Sequence, residues 1–337
     1  MKQQIFPVHA LNANITRILS RITTVNIHEC ISNGLSNEIF LIDENSRITC
    51  PAEIIYNKLE DKSIVKLSSA YCQYLWLTCD IALKSIDFNI ILQECDKFGG
   101  NIEIFSNCIQ QVLQMSKEEI QNLMKNNGHN INIDQYLDYL KRTPYLLDVE
   151  QLKNDLELDT NLLFDLTNNP TKIDINRFSQ INVKGSYEEK VNGMYCYGVV
   201  FILLHELSHF LLGHIYKSEE NGEETEADIA AFWEMYSSLE GQDRFTAICG
   251  ILGVLFSLLY LNPNMTEDGI HPREDKRIFD IYENIKEENE KFAILIIHMF
   301  KLWKDFNSIQ DFPELKKGNL KDAINSIKEF LSGYNPN

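Results

Sequence analysis

The 337 residues carry 49 acidic against 31 basic side chains, a formal net charge of −18, with 44% hydrophobic content. That length and apolarity build one large domain or two smaller ones with true cores. An acidic surface of this size repels nucleic acid and anionic membrane, and no basic stripe with interleaved aromatics opposes that reading. The stretch from Met1 to Arg21 lacks the apolar core and cleavage site of a signal peptide. Eight cysteines (Cys30, Cys50, Cys72, Cys79, Cys95, Cys108, Cys196 and Cys249) form no CxxC pair. They read as reduced thiols of a cytoplasmic protein, not as a disulfide framework or a structural metal site.

Taken in chain order, the first region alternates briefly at Glu38–Ile42 and Ser63–Leu67, which predicts a small hairpin or β edge. From Ser68 to Asp96 the pattern turns helical, with Tyr71, Leu75, Cys79 and Leu83 at near-helical spacing. Phe98–Asn101 is a break, and helices resume at Ile102–Met115 and Ser116–Asn126. The latter opens on a capping box, Ser116-Lys117-Glu118-Glu119. After a loop at Asn126–Asn130, another helix is expected over Ile133–Leu140. Asp148–Asn169 is acidic and polar and ends at Pro170, which places a soft domain boundary there, between a mixed region 1–169 and a second unit 170–337. Alternation over Thr171–Val183 suggests an extended strand beside a substrate groove, where a peptide would add by main-chain pairing.

Ser186 is a candidate cap for the helix that carries the most informative segment, His205-Glu206-Leu207-Ser208-His209. Histidines four apart share one helix face, so His205 and His209 can bind a single Zn²⁺, and Glu206 can reach the water at the metal's open position. This is the H-E-x-x-H arrangement of zinc peptidases, with the glutamate as general base. Two core histidines on an apolar helix are the bland alternative, but a buried Glu206 would then be expensive to ionise. His214 lies five residues past His209, off the ligand face, and reads as a helix C-terminal group or one standing behind a ligand. A polar link, Lys217–Glu223 with Gly222, leads to a second helix whose Glu224 and Asp228 share a face. One carboxylate can complete the metal site and the other can accept the N–H of a ligating histidine. The spacing favours Glu224 as ligand and Asp228 behind it, with Glu226 pointing elsewhere. Phe245–Leu261 is apolar but at the lower length limit for a span, and reads as a buried helix behind the site. His271-Pro272 sits at a helix start, where the histidine could contact a developing oxyanion, and Arg277 adds a permanent cation for the same charge or for an acidic ligand. Helices over Glu287–Phe306 and Leu320–Leu331 close the core. The fold class is therefore mainly α (α+β), with a small β element and an N-terminal helical region.

HExxH with His214 at the end of the decapeptide, then Glu224-Thr225-Glu226-Ala227-Asp228, then His271-Pro272 through Arg277-Ile278, in that order, resembles the gluzincin metallopeptidases over Tyr195–Tyr282. The pattern is similar to the CAAX-prenyl-endopeptidase and HtpX type and to the soluble ImmA/IrrE type. The membrane-bound types carry long apolar spans before and after the motif; here the candidates are Met194–Leu212, which holds the motif itself, and Phe245–Leu261, read as a buried helix, so the pattern is most like the Lit phage-exclusion peptidases. The resemblance implies a zincin-like helical core, Zn²⁺ on His205, His209 and Glu224, and Glu206 as base. It sets Asp228 behind a ligand, and His271 and Arg277 against substrate or transition state. It also implies cleavage of one intracellular protein, in the Lit family a translation elongation factor during phage response, under the control of a trigger peptide or protein. A repressor-cleaving ImmA-like enzyme and a non-catalytic zinc-containing binding protein are the alternatives.

Overall fold

The computed structural model of the chain describes residues 11–23, 28–31, 34–44, 47–57, 61–97, 100–126, 134, 149–169, 186–214, 222–262, 264–265, 272–286, 290–313 and 319–334. Helix α1 (Asn12–Ile22) precedes three strands, β1 (Leu35–Asp43), β2 (Ala52–Asn57) and β3 (Lys62–Ser68). The strand order is β1-β3-β2, with β3 parallel to β1 and antiparallel to β2. The two alternating runs seen in the sequence thus pair with each other, Phe40 opposite Val65 and Ile42 opposite Leu67, in a parallel ladder. The hairpin partner of β3 is Ala52–Asn57, a run with two adjacent apolar residues at its centre and no clean alternation to announce it. Residues 170–185, 127–133 and 135–148 are outside the described set, so the expected strand at Thr171–Val183 and all but Asp134 of the expected helix Ile133–Leu140 lie there.

The remaining described elements are mostly helical. They are α2 (Ser69–Lys97), α3 (Ile102–Gln114), α4 (Lys117–Asn126), α5 (Val149–Asn168), α6 (Ser186–Leu212), α7 (Glu223–Ser238), α8 (Gly241–Leu261), α9 (Glu274–Asn284), α10 (Glu290–Phe306) and α11 (Leu320–Gly333). The fold is mainly α with one small sheet. The capping box closes as its sequence requires: the Glu119 backbone N–H donates to Ser116 Oγ at 3.3 Å and the Ser116 N–H to Glu119 Oε2 at 2.7 Å. Asn101 and Asn319 cap α3 and α11 with their side-chain oxygens, which accept from the backbone N–H of Ile104 and Asp322. Helix α5 occupies the acidic, polar stretch that precedes Pro170. Val149, Leu152, Leu163 and Leu166 bury one face against α2, while the acids between them dilute the apolar stripe.

Helix α6 is the axis of the molecule, in contact with α1, α2, α7, α8 and β2. It crosses α8 at Gly198 and Gly250. A Cβ on Gly250 would come 2.4 Å from the Met194 carbonyl oxygen, so only glycine permits the two backbones to lie this close. Residues Tyr187–Leu212 and Gly241–Leu261 are each long and apolar enough to cross a membrane by length and composition. Their apolar windows are 78% and 72% buried inside the protein, and α8 packs behind α6 as a core helix. One continuous core runs from Leu11 to Leu331, across the boundary expected at 169–170. All eight cysteines are free thiols, Cys50 exposed and Cys108 part-exposed, the other six buried. Burial pushes the Cys72 thiol up to about 12, far from the reactive thiolate range.

Candidate active site

The C-terminal half of α6 and the first turns of α7 face each other, and their pairs of side chains at i and i+4 meet across the gap. His205 Nε2 lies 3.1 Å from His209 Nε2 and 3.3 Å from Glu224 Oε2, and His209 Nε2 lies 3.2 Å from Glu224 Oε1. One donor atom from each of the three residues therefore falls within a cluster less than 4.8 Å across. A small cation bound tetrahedrally at about 2.0–2.1 Å sets its ligand atoms about 3.3 Å apart, which matches this spacing. The chemistry of the donors agrees. Asp228 takes the Nδ1 side of His205, so a neutral His205 carries its proton there and turns a bare Nε2 lone pair toward another nitrogen and a carboxylate. Lone pairs so placed repel unless a proton or a metal ion lies between them.

Asp228 is the hub behind His205. Its Oδ1 lies 2.9 Å from His205 Nδ1, and Arg277 of α9 donates Nε to Oδ2 at 2.6 Å and Nη2 to Oδ1 at 2.8 Å. Burial would raise the Asp228 carboxyl, but the Arg277 guanidinium and the His205 ring outweigh it and hold it at about 2. Glu224 is likewise held well below the usual carboxylate range, because its bonds to His205 and His209 overcome its burial. For His205, burial favours the neutral ring, yet Asp228 and Glu224 push its pKa up to about 10, so without a metal a proton resides on this ring.

Arg277 was expected against substrate. The structure gives it a fork-like grip on Asp228 with only 9% of its side chain exposed, so its charge is committed to the carboxylate behind His205. Position 271, the other residue expected near substrate, lies outside the described residues, as does most of the Lys217–Glu223 link. Glu206 stands one residue past His205, partly buried, with no hydrogen bond or ion pair to any described residue. Burial pushes its carboxyl upward, with His205 and His209 opposing, a direction that suits a proton acceptor. Glu226 points away, 68% exposed, as its offset from Glu224 predicts. Its partner is His214, whose ring also meets His209, which sets His214 behind a candidate ligand, one of the two places read for it from its spacing. At the neighbouring sheet, β2 packs against α6, which brings the strand close to the helix that carries the site.

Comparison with known proteins places these residues in a family. No curated protein and no solved structure matches the chain. The family model described as Peptidase U49 matches residues 65–299, a span that runs from β3 into α10 and contains His205, Glu206, His209, Glu224, Asp228 and Arg277. The chain thus belongs to the Peptidase U49 family of Lit-like peptidases and is a peptidase.

Proposed function

We propose that this peptidase is a zinc-dependent endopeptidase with Zn²⁺ on His205, His209 and Glu224, acting in the cytoplasm on one intracellular protein. The observation that carries the reading is the convergence of those three donors at 3.1–3.3 Å beside Glu206, which has no hydrogen bond or ion pair among the described residues. Three protein ligands with a position left for water are the pattern of catalytic zinc, whereas structural sites close with four. Bound there, zinc supplies Lewis acidity toward water and the scissile carbonyl. Glu206 takes the proton of the attacking water and passes it to the leaving amine, a role for which its raised pKa suits it. Asp228 holds His205 in the Nδ1–H tautomer, and Arg277 keeps Asp228 ionised and aimed. Membership of the Lit-like family supports that branch over the ImmA/IrrE reading, and with it a role in phage response against a translation factor, set off by a trigger peptide or protein.

The test is metal content and turnover of the wild-type chain beside His205→Ala and Glu206→Gln. One equivalent of zinc in wild type and Glu206→Gln, lost in His205→Ala, is expected, together with proteolysis in cells expressing wild type alone. Absence of zinc from all three after reconstitution would sink the proposal.

A further inference from the structure

We infer that His214 is a positioning residue for the second histidine of the cluster: it accepts the Nδ1 proton of His209 and so fixes the tautomer that turns Nε2 toward the metal. The inference rests on the zinc reading above. Helix α6 ends at Leu212, and Gly213 follows with φ at +75°, a left-handed conformation that ends the helix and reverses the chain. That turn carries the next ring back over the helix end. His214 Nδ1 lies 3.0 Å from His209 Nδ1, the rings meet edge to face at 67°, and the His214 side chain is 5% exposed. On its far side His214 Nε2 lies 3.3 Å from Glu226 Oε2 on α7.

Only one proton fits between two ring nitrogens at this distance, and the site decides which ring owns it. His209 Nε2 faces His205 Nε2 and Glu224, so it must be bare to serve as a ligand. The His209 proton therefore sits on Nδ1, His214 Nδ1 is the acceptor, and the His214 proton sits on Nε2, directed at Glu226. Each candidate ligand histidine then has its own acceptor: Asp228 for His205, and His214, itself held by Glu226, for His209. Such partners raise ligand basicity and stop the ring from turning, and their loss typically weakens metal binding about 10–100-fold.

The experiment measures zinc affinity by chelator competition for wild type, His205→Ala, His214→Asn, His214→Gln and His214→Leu. Asparagine can place its amide oxygen where Nδ1 stands and still accept from His209. Glutamine places its oxygen near the Nε2 position instead, and leucine accepts nothing. Affinity close to wild type in His214→Asn, with a loss of about 10–100-fold in His214→Gln and His214→Leu, is expected. The Asn–Gln contrast compares two polar amides, so it stands even if the leucine variant fails to fold. Equal affinity of His214→Gln and His214→Asn, with wild type binding zinc and His205→Ala not binding it, would overturn the role of His214 alone. Equal binding by wild type and His205→Ala would overturn the zinc reading and this inference with it.

Discussion

Two clusters of buried charge share this molecule, one at the facing ends of α6 and α7, the other between α2 and α5. In the second, Lys84 Nζ lies 2.7 Å from Asp80 Oδ2 and also bonds Asp159 Oδ2, and none of the three side chains is more than 2% exposed. The cation there is part of the chain, with a stem long enough to reach both carboxylates. In the first, Glu206, Glu224 and Asp228 face one guanidinium among the described residues, Arg277, which is spent on Asp228. Its His205 Nε2, His209 Nε2 and Glu224 carboxylate point at one another, with no lysine or arginine between them among the described residues. Burial acts on both clusters alike, but the outcomes differ in sign. Asp80 is pushed up to about 7 by burial, with Lys84 opposing and Asp159 reinforcing, and its Oδ1 has no partner. Asp228, equally buried, is held at about 2 because Arg277 and His205 both face it. The number of cations within reach, not depth, decides whether a buried carboxylate stays ionised. A cluster that supplies its own cation is complete as structure; one whose lone pairs converge suits a divalent ion.

The largest effect that separates the two is on catalysis. Glu206→Gln should lower peptidase turnover about 10²–10⁴-fold with zinc content unchanged, as single-turnover assays of metal-loaded protein would register. Lys84→Met should do the reverse. It leaves two buried carboxylates uncompensated, at a cost of about 3–5 kcal/mol in thermal or urea unfolding, while turnover per folded molecule is retained. Loss of turnover in a Lys84→Met protein that is still folded would break the comparison, because the triad would then belong to the chemistry.

Titration should sharpen it. The Asp80 carboxyl is raised in the folded state, so its contribution to stability is full below about pH 4 and is lost as pH rises through about 7. Asp228 is lowered, so its contribution is full above about pH 4 and is lost as pH falls toward 2. Melting curves between pH 5 and 8 should therefore decline more steeply in wild type than in Asp80→Asn, by on the order of 2–3 kcal/mol. A steeper decline in Asp80→Asn would contradict the assignment. The smallest effect belongs to an exposed pair. Arg21 and Asp243 lie 3.0 Å apart with about half of each side chain in solvent. Asp243→Asn should cost below about 1 kcal/mol in the same unfolding assay and weaken further with salt.

The local parts of the candidate site were legible because a helix repeats every 3.6 residues whatever it packs against. His205 with His209, and Glu224 with Asp228, are i,i+4 pairs, and each helix delivers its pair on one face. The same rule kept Glu226 away from Glu224. Ordered motifs along the chain pointed to the Lit-like peptidases, and the apolar length of α6 and α8 announced core helices. The partner choices were not legible. Arg277 could be read as a free cation, but the packing of α9 lays it on Asp228. The turn at Gly213 brings His214 back to His209 against the helical spacing. Lys84 and Asp80, an i,i+4 pair, look like any solvated pair on a helix until α5 covers them and adds Asp159. The pairing of β1 with β3, rather than as a hairpin, rests on contacts between strands separated by β2. Sequence by itself determined what one helix can present on one face, since covalent geometry sets that within a turn. Only the tertiary structure decided which faces meet, because that choice depends on how volumes fill a common core and on which buried charges then find a cation.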